Sequence, residues 1–156
     1  MLRKILITVI IFNLELCGQA QTIKNLHGSV RPQVKNDSIP ALQKAAAEIF
    51  QNIEKGIAKG SIREFSKYFA GNVYITLLLQ ESNYYSKNQS EAILSSFFAA
   101  HKTTSFFFSR IDSYSNVPYA TGRYAYIEKG SIASAQIYVS LSLRGSKWVI
   151  TQFNVY

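Results

Sequence analysis

The chain has 156 residues, 47% of them hydrophobic, with ten tyrosines, ten phenylalanines and a net charge of +8. That length suggests one domain with a sizeable core, and the aromatic content suits a β-rich one. One cysteine and two histidines make a disulfide framework or a transition-metal site improbable.

Arg3 and Lys4 give the first residues a positive head, followed by an apolar run from Ile5 to Phe12 and a small-x-small site at Gly18, Gln19 and Ala20. That is the layout of a secretory signal peptide over residues 1–20, too short to span a bilayer. Cys17 raises the rival reading of a lipoprotein cut just before the cysteine, but Glu15 and the bulky Leu16 fit that pattern poorly. The expectation is export to the periplasm or beyond after cleavage near Ala20, with no cysteine or transmembrane span in the mature chain. The mature protein stays basic. It could meet lipid headgroups, polysaccharide or acidic proteins, or the charge could serve solubility alone. No run of like charge stands out, so nucleic acid is not an expected partner.

Residues 21–39 are polar and irregular and read as a flexible tether, leaving 40–156 as a single domain. A first helix is predicted from Pro40 to Gly60, with Leu42, Ala46, Ile49, Phe50, Ile53 and Ile57 on one stripe. A second follows from Ser61 to Gly71, with Ser61 and Glu64 as a capping box. A strand is expected over Asn72–Gln80, Val73, Ile75, Leu77 and Leu79 sharing a face. Ser86 with Gln89, or Asn88 with Glu91, can cap a third helix bearing Ile93, Leu94, Phe97 and Phe98. Thr103–Ile111 returns as a strand. Tyr119–Ile127, Ala135–Leu143 and Trp148–Tyr156 then form an antiparallel meander with turns at Glu128–Ser131 and Arg144–Lys147. Its middle strand alternates cleanly, Ala135, Ile137, Val139, Leu141 and Leu143 against Gln136, Tyr138, Ser140 and Ser142. The last strand is ambiguous, because Val149, Phe153 and Val155 compete with Trp148 and Ile150 for the buried face.

The order helix-helix-strand-helix followed by four strands resembles the cone-shaped α+β domains of the nuclear transport factor 2-like superfamily, which includes ketosteroid isomerases and polyketide cyclases. The local likeness lies in Ile49-Phe50-Gln51 with Ile57 and Gly60, in Phe65–Phe69 and Val73, and in Tyr85-Ser86-Lys87. Ala92, Leu94, Phe97-Phe98 and Trp148-Val149-Ile150 complete it. Together they resemble a small family of secreted proteins from Bacteroidetes-type bacteria, known only as a domain of unknown function. The resemblance implies a strongly curved, mostly antiparallel sheet around the first helix. It carries no activity, since fold does not fix function.

A catalytic cone would need an ionisable group inside an apolar cavity. Most carboxylates here have plainer places: Glu64 and Glu91 at caps, Glu48 and Glu54 on the first helix, Glu128 in a turn. Glu81, Asp112 and His101 are left as catalytic candidates. His101, near a helix C-terminus, can instead cover carbonyls. No Gly-x-Ser-x-Gly, phosphate loop or Gly-x-Gly-x-x-Gly occurs, and no cofactor is expected. Tyr124, Tyr126, Tyr138 and Gln152 remain as candidate ligand-binding residues, able to line an amphipathic groove. Cross-strand aromatic pairing is the plainer account of the tyrosines. The leading reading is a secreted non-enzymatic binding domain for a small apolar ligand or a protein partner. The rival is an isomerase- or hydrolase-like enzyme. Apolar groups on both faces of the closing strands also suggest a homodimer through the sheet.

Overall fold

The computed structural model describes residues 38–78 and 82–156. The predicted signal segment, almost all of the predicted tether, and Glu81 lie outside them. Helix α1 (Ser38–Ala58) buries Ala46, Ile49, Phe50, Ile53, Gly56 and Ile57, the predicted stripe with Gly56 added and Leu42 only half-buried. Pro40 sits in its first turn, where a missing N–H costs nothing. The helix ends in a Schellman cap. Gly60, at φ +64°, donates to the Ile57 carbonyl at 2.9 Å, and Ser61 donates to Gly56 at 2.9 Å.

The predicted second helix does not form. Ser61–Phe65 makes irregular turns, a short 3-10 helix covers Ser66–Tyr68, and strand β1 (Phe69–Leu77) starts three residues earlier than expected. Glu64 caps nothing. Its carboxylate pairs with Lys59 at 3.1 Å and lies 3.9 Å from Lys55, and the Lys59 contact holds its pKa below the usual carboxylate range. The physical reason is tertiary packing. A ten-residue helix is marginal alone, and Phe65 and Phe69 are drawn onto the core instead. Phe65 stacks on Phe153 with ring centroids 6.0 Å apart. It also lies where a Cβ on Gly56 would stand 2.7 Å from its ring, so the missing side chain lets the turn fold back on α1.

Strand β2 (Asn83–Ser86), for which no strand is predicted from sequence, pairs antiparallel with β1. Helix α2 (Lys87–Ala100) opens with the predicted Ser86–Gln89 capping box. Strands β3 (Lys102–Asp112), β4 (Tyr119–Glu128), β5 (Ser131–Arg144) and β6 (Lys147–Val155) fall within a few residues of their predicted bounds. The β4–β5 turn has Lys129 at φ +48° and Gly130 at φ +81°, the left-handed pair of a type I′ hairpin. The sheet order is β2-β1-β6-β5-β4-β3, with β1 and β6 parallel and every other pair antiparallel.

The sheet is not strongly curled round one helix as expected. Helix α1 lies chiefly against β3 and α2 chiefly against β1 and β2. A helix about 10 Å across covers roughly two strands spaced ~4.8 Å apart. The two helices therefore each cover their own part of the sheet, and neither is wrapped by it. The inner face carries Val73, Ile75, Tyr124, Ile137, Val139 and Leu141, all 0–1% exposed. Leu143, assigned by alternation to that face, is exposed near the strand's end. The ambiguity in β6 also resolves. Ser140 pairs with Gln152 but the next residue, Leu141, pairs with Ile150, so Thr151 is an extra residue in β6. This bulge turns Ile150, Phe153 and Val155 all inward. The bulge thus accounts for the apolar residues at both parities of β6 except Val149, which pairs with Ser142 on the outer side.

Candidate binding face

Neighbouring strands bring residues of one parity into lateral rows on the outer side of the sheet. Asp112, Tyr119, Ser140, Gln152, Tyr74 and Tyr84 pair in succession across all six strands. The adjacent row runs Arg110, Thr121, Tyr138, Asn154 and Thr76. Tyr119 and Tyr138 stack with centroids 6.0 Å apart, Tyr74 and Tyr84 meet edge to face at 5.1 Å, and the Arg110 guanidinium sits 5.5 Å above the Tyr119 ring. Hydroxyls and amides fill the space between. Ser142 and Thr151 share a hydrogen bond of 3.2 Å, and Thr76 and Ser82 one of 2.7 Å. Asn154 is fully buried. Its Nδ2 donates to the Tyr156 hydroxyl at 2.8 Å, and its Oδ1 has no partner among the described residues.

Two hollows open on this side. One, of about 510 Å³, is lined by Tyr74, Tyr84, Ser142, Arg144, Thr151 and Gln152 among others. The second, of about 360 Å³, is lined by Ser109, Arg123, Ser134, Gln136 and Tyr156 among others. Such a surface offers ring faces, neutral hydrogen-bonding groups and arginine charge, and no nucleophile with a base beside it.

The four sequence-predicted binding residues are divided between the faces. Tyr138 and Gln152 lie on the outer rows. Tyr124 and Tyr126 point inward and are buried at 0% and 4% exposure. The Tyr124 hydroxyl donates to the His101 carbonyl at 2.6 Å, and burial pushes its pKa up to about 12. The Thr103 hydroxyl is near enough to oppose that rise slightly, yet its Oγ1 makes no hydrogen bond of proper geometry. Tyr126 is raised as well, first by burial and then by the nearby Glu128 charge. The two phenol rings stack at 5.0 Å, with Phe97, Phe98 and His101 packed round them.

The catalytic candidates do not converge. The Nδ1 of His101 faces the Phe97 carbonyl at 2.9 Å and must carry the proton there, since a carbonyl only accepts. That is the carbonyl-covering role anticipated from sequence. Asp112 accepts from the backbone of Tyr114 and Ser115, both at 3.1 Å, closing its own turn. Among the described residues no group of His, Cys, Asp and Glu could hold a metal, and no helix is long and apolar enough to cross a membrane. Sequence reasoning missed Tyr74, Tyr84, Tyr119 and the arginines of the outer face. Alternation in β1 sets Tyr74 opposite Val73 and Ile75. Its alignment with Gln152 depends on the parallel β1–β6 pairing, which no local pattern announces. It also missed Glu54, whose Oε2 accepts from the Phe108 N–H at 3.0 Å and covers part of the free edge of β3.

The model of a family described as a domain of unknown function, DUF4783, matches residues 50–155. Similar solved structures include a DUF4783 family protein from Bacteroides uniformis ATCC 8492, 18% identical at TM-score 0.61, covering 67% of this chain and 93% of that one. Another, from Bacteroides ovatus ATCC 8483, is 18% identical at TM-score 0.60, covering 67% and 90%. An NTF2-like protein from Anabaena variabilis ATCC 29413 is 19% identical at TM-score 0.56, covering 78% and 90%. Likeness at these identities carries the fold and not an activity. None of the curated proteins matches the chain.

Proposed function

The chain belongs to the DUF4783 family, with an NTF2-like α+β fold, and from that premise we propose a non-enzymatic binding domain that takes its ligand or partner on the outer face of the sheet. One observation carries this reading: aromatic, amide and arginine side chains line up across the outer rows, while the tyrosines of the inner face are packed among phenylalanines with their hydroxyls engaged or buried. Tyr138 and Gln152 are the binding residues, joined by Tyr74, Tyr84 and Tyr119. Tyr124 and Tyr126 hold the sheet onto α2. The face suits a ligand offering ring surfaces and hydroxyl or amide groups better than a purely apolar one. The domain works after export, in the periplasm or outside the cell, following cleavage near Ala20. A homodimer through the sheet would occupy this same face and compete with the ligand. The reading is tested by capturing ligands from a glycan and peptide array with the parent domain and with Tyr138→Ala and Gln152→Ala. Loss of capture in folded variants supports it. Capture indifferent to both substitutions, or turnover of a substrate that needs His101 or Asp112, overturns it.

A further inference from the structure

The two outer hollows share a feature that a compact ligand would not use. Each contains one exposed arginine, Arg123 in one and Arg144 in the other, and Arg110 stands between them over the Tyr119 ring. Gln136 and Ser142, which line the two hollows, are six positions apart on β5, roughly 20 Å at ~3.4 Å per residue. The span between them holds the stacked Tyr119–Tyr138 pair and the Ser140 and Gln152 side chains. Among the described strands the one side-chain carboxylate at an outward position is Asp112, and it is engaged with its own turn. The whole chain carries net charge +8.

We infer that this face binds an anionic polysaccharide lying across it, its acid groups pairing with Arg110, Arg123 and Arg144 and its sugar rings resting on the tyrosines. The inference rests on the outer-face reading above. Charge complementarity picks out an anion, and the spacing of the arginines picks out a chain that repeats its charge. The cations are scattered, three arginines with Lys102 and Lys147 at outward positions near the strand ends, and form no dense basic stripe. Amides and hydroxyls outnumber them on the face. Both facts favour sugar hydroxyls with intermittent acid groups over the continuous charge of a nucleic acid.

The test is affinity electrophoresis and calorimetry of the domain on polygalacturonate, with dextran and single-stranded oligonucleotide as comparison ligands. Retention on polygalacturonate and none on dextran is expected. Each arginine-to-alanine change should weaken binding roughly three- to tenfold, and the triple variant should abolish it. A matched variant, Lys44→Ala with Lys55→Ala and Arg63→Ala, removes the same charge away from this face and should bind like the parent. Thermal melting confirms that every variant is folded. Equal loss in the matched variant, preference for oligonucleotide, or equal binding of dextran overturns the inference. Binding of dextran that still needs Tyr138 leaves the outer-face reading intact. Binding of any of these ligands that ignores Tyr138, Gln152 and the arginines sinks both.

Discussion

The two faces of this one sheet are built from the same strands and differ in what they leave exposed. On the inner face the polar groups are few: the Tyr124 hydroxyl meets the His101 carbonyl, His101 covers Phe97, and the Thr103 hydroxyl is buried without a partner among the described residues. On the outer face tyrosines stand exposed or half-buried beside amides and arginines, and a fully buried Asn154 oxygen has no partner among the described residues. The inner face follows the rules of a stable core. The outer face departs from them where a binding surface would. If this contrast is sound, substitutions inside should cost stability, and those outside should cost binding while leaving stability nearly unchanged.

The largest effect is expected from Ile53→Asp. Ile53 is fully buried in the middle of α1, and an unpaired carboxylate there should destabilise the domain by about 4 kcal/mol or more. Chemical denaturation measures it; a midpoint like the parent's would mean that α1 is not the inner layer. Gly56→Ala comes next. The added methyl would stand 2.7 Å from both the Phe65 ring and the Ser61 carbonyl, and displacing a ring stacked on Phe153 should cost about 2 kcal/mol. A stabilised variant, as helix propensity alone would give, would remove the explanation offered for the missing second helix.

Tyr124→Phe should cost about 1–2 kcal/mol, because it leaves the buried His101 carbonyl without its donor. It also has a pH signature. Tyr124 has its folded pKa raised from about 10 to about 12, so its neutral form is favoured in the fold. That contribution is complete below pH 10 and is lost as pH rises through 12. It amounts to roughly 2–3 kcal/mol at the usual conversion of pKa into free energy. Stability should therefore fall between pH 10 and 12 in the parent and fall less steeply in Tyr124→Phe. The residual slope belongs in part to Tyr126, raised by the same burial. Identical slopes in the two proteins would mean that Tyr124 is not sealed in the core.

How much of this was legible in the sequence follows from the range of each interaction. The meander was readable because alternation in β5 is a local signal, and the α2 start because the Ser86–Gln89 box is only three residues long. The absent second helix was not, because Phe65 is held by Gly56 and Phe153, partners on two other elements. The buried face of β6 was not, because one bulged residue, Thr151, inverts the parity on which alternation depends. The grouping of Tyr124 and Tyr126 with Tyr138 and Gln152 fails on strand pairing and not on a bulge. All four are polar-capable residues on closing strands, and only strand register separates those facing α2 from those facing out.

The smallest stability effect is the most informative about the outer face. Asn154 lies in β6, pairs with Tyr138 and Thr76, and is fully buried. Its one side-chain hydrogen bond goes to the Tyr156 hydroxyl, and its Oδ1 bears the cost of desolvation without a return bond among the described residues. Replacing it by valine removes both terms and adds a residue that favours strands. Asn154→Val should thus be as stable as the parent or better by up to about 1 kcal/mol. A polar group kept where an apolar one would be at least as stable is most simply retained for what it does to the surface around it, here the positions of Tyr138 and Tyr156. The variant should therefore fold well and bind the outer-face ligand less tightly. A loss of 2 kcal/mol or more on denaturation would show instead that Asn154 is part of the domain's structural core, and the contrast between the two faces would not hold at that position.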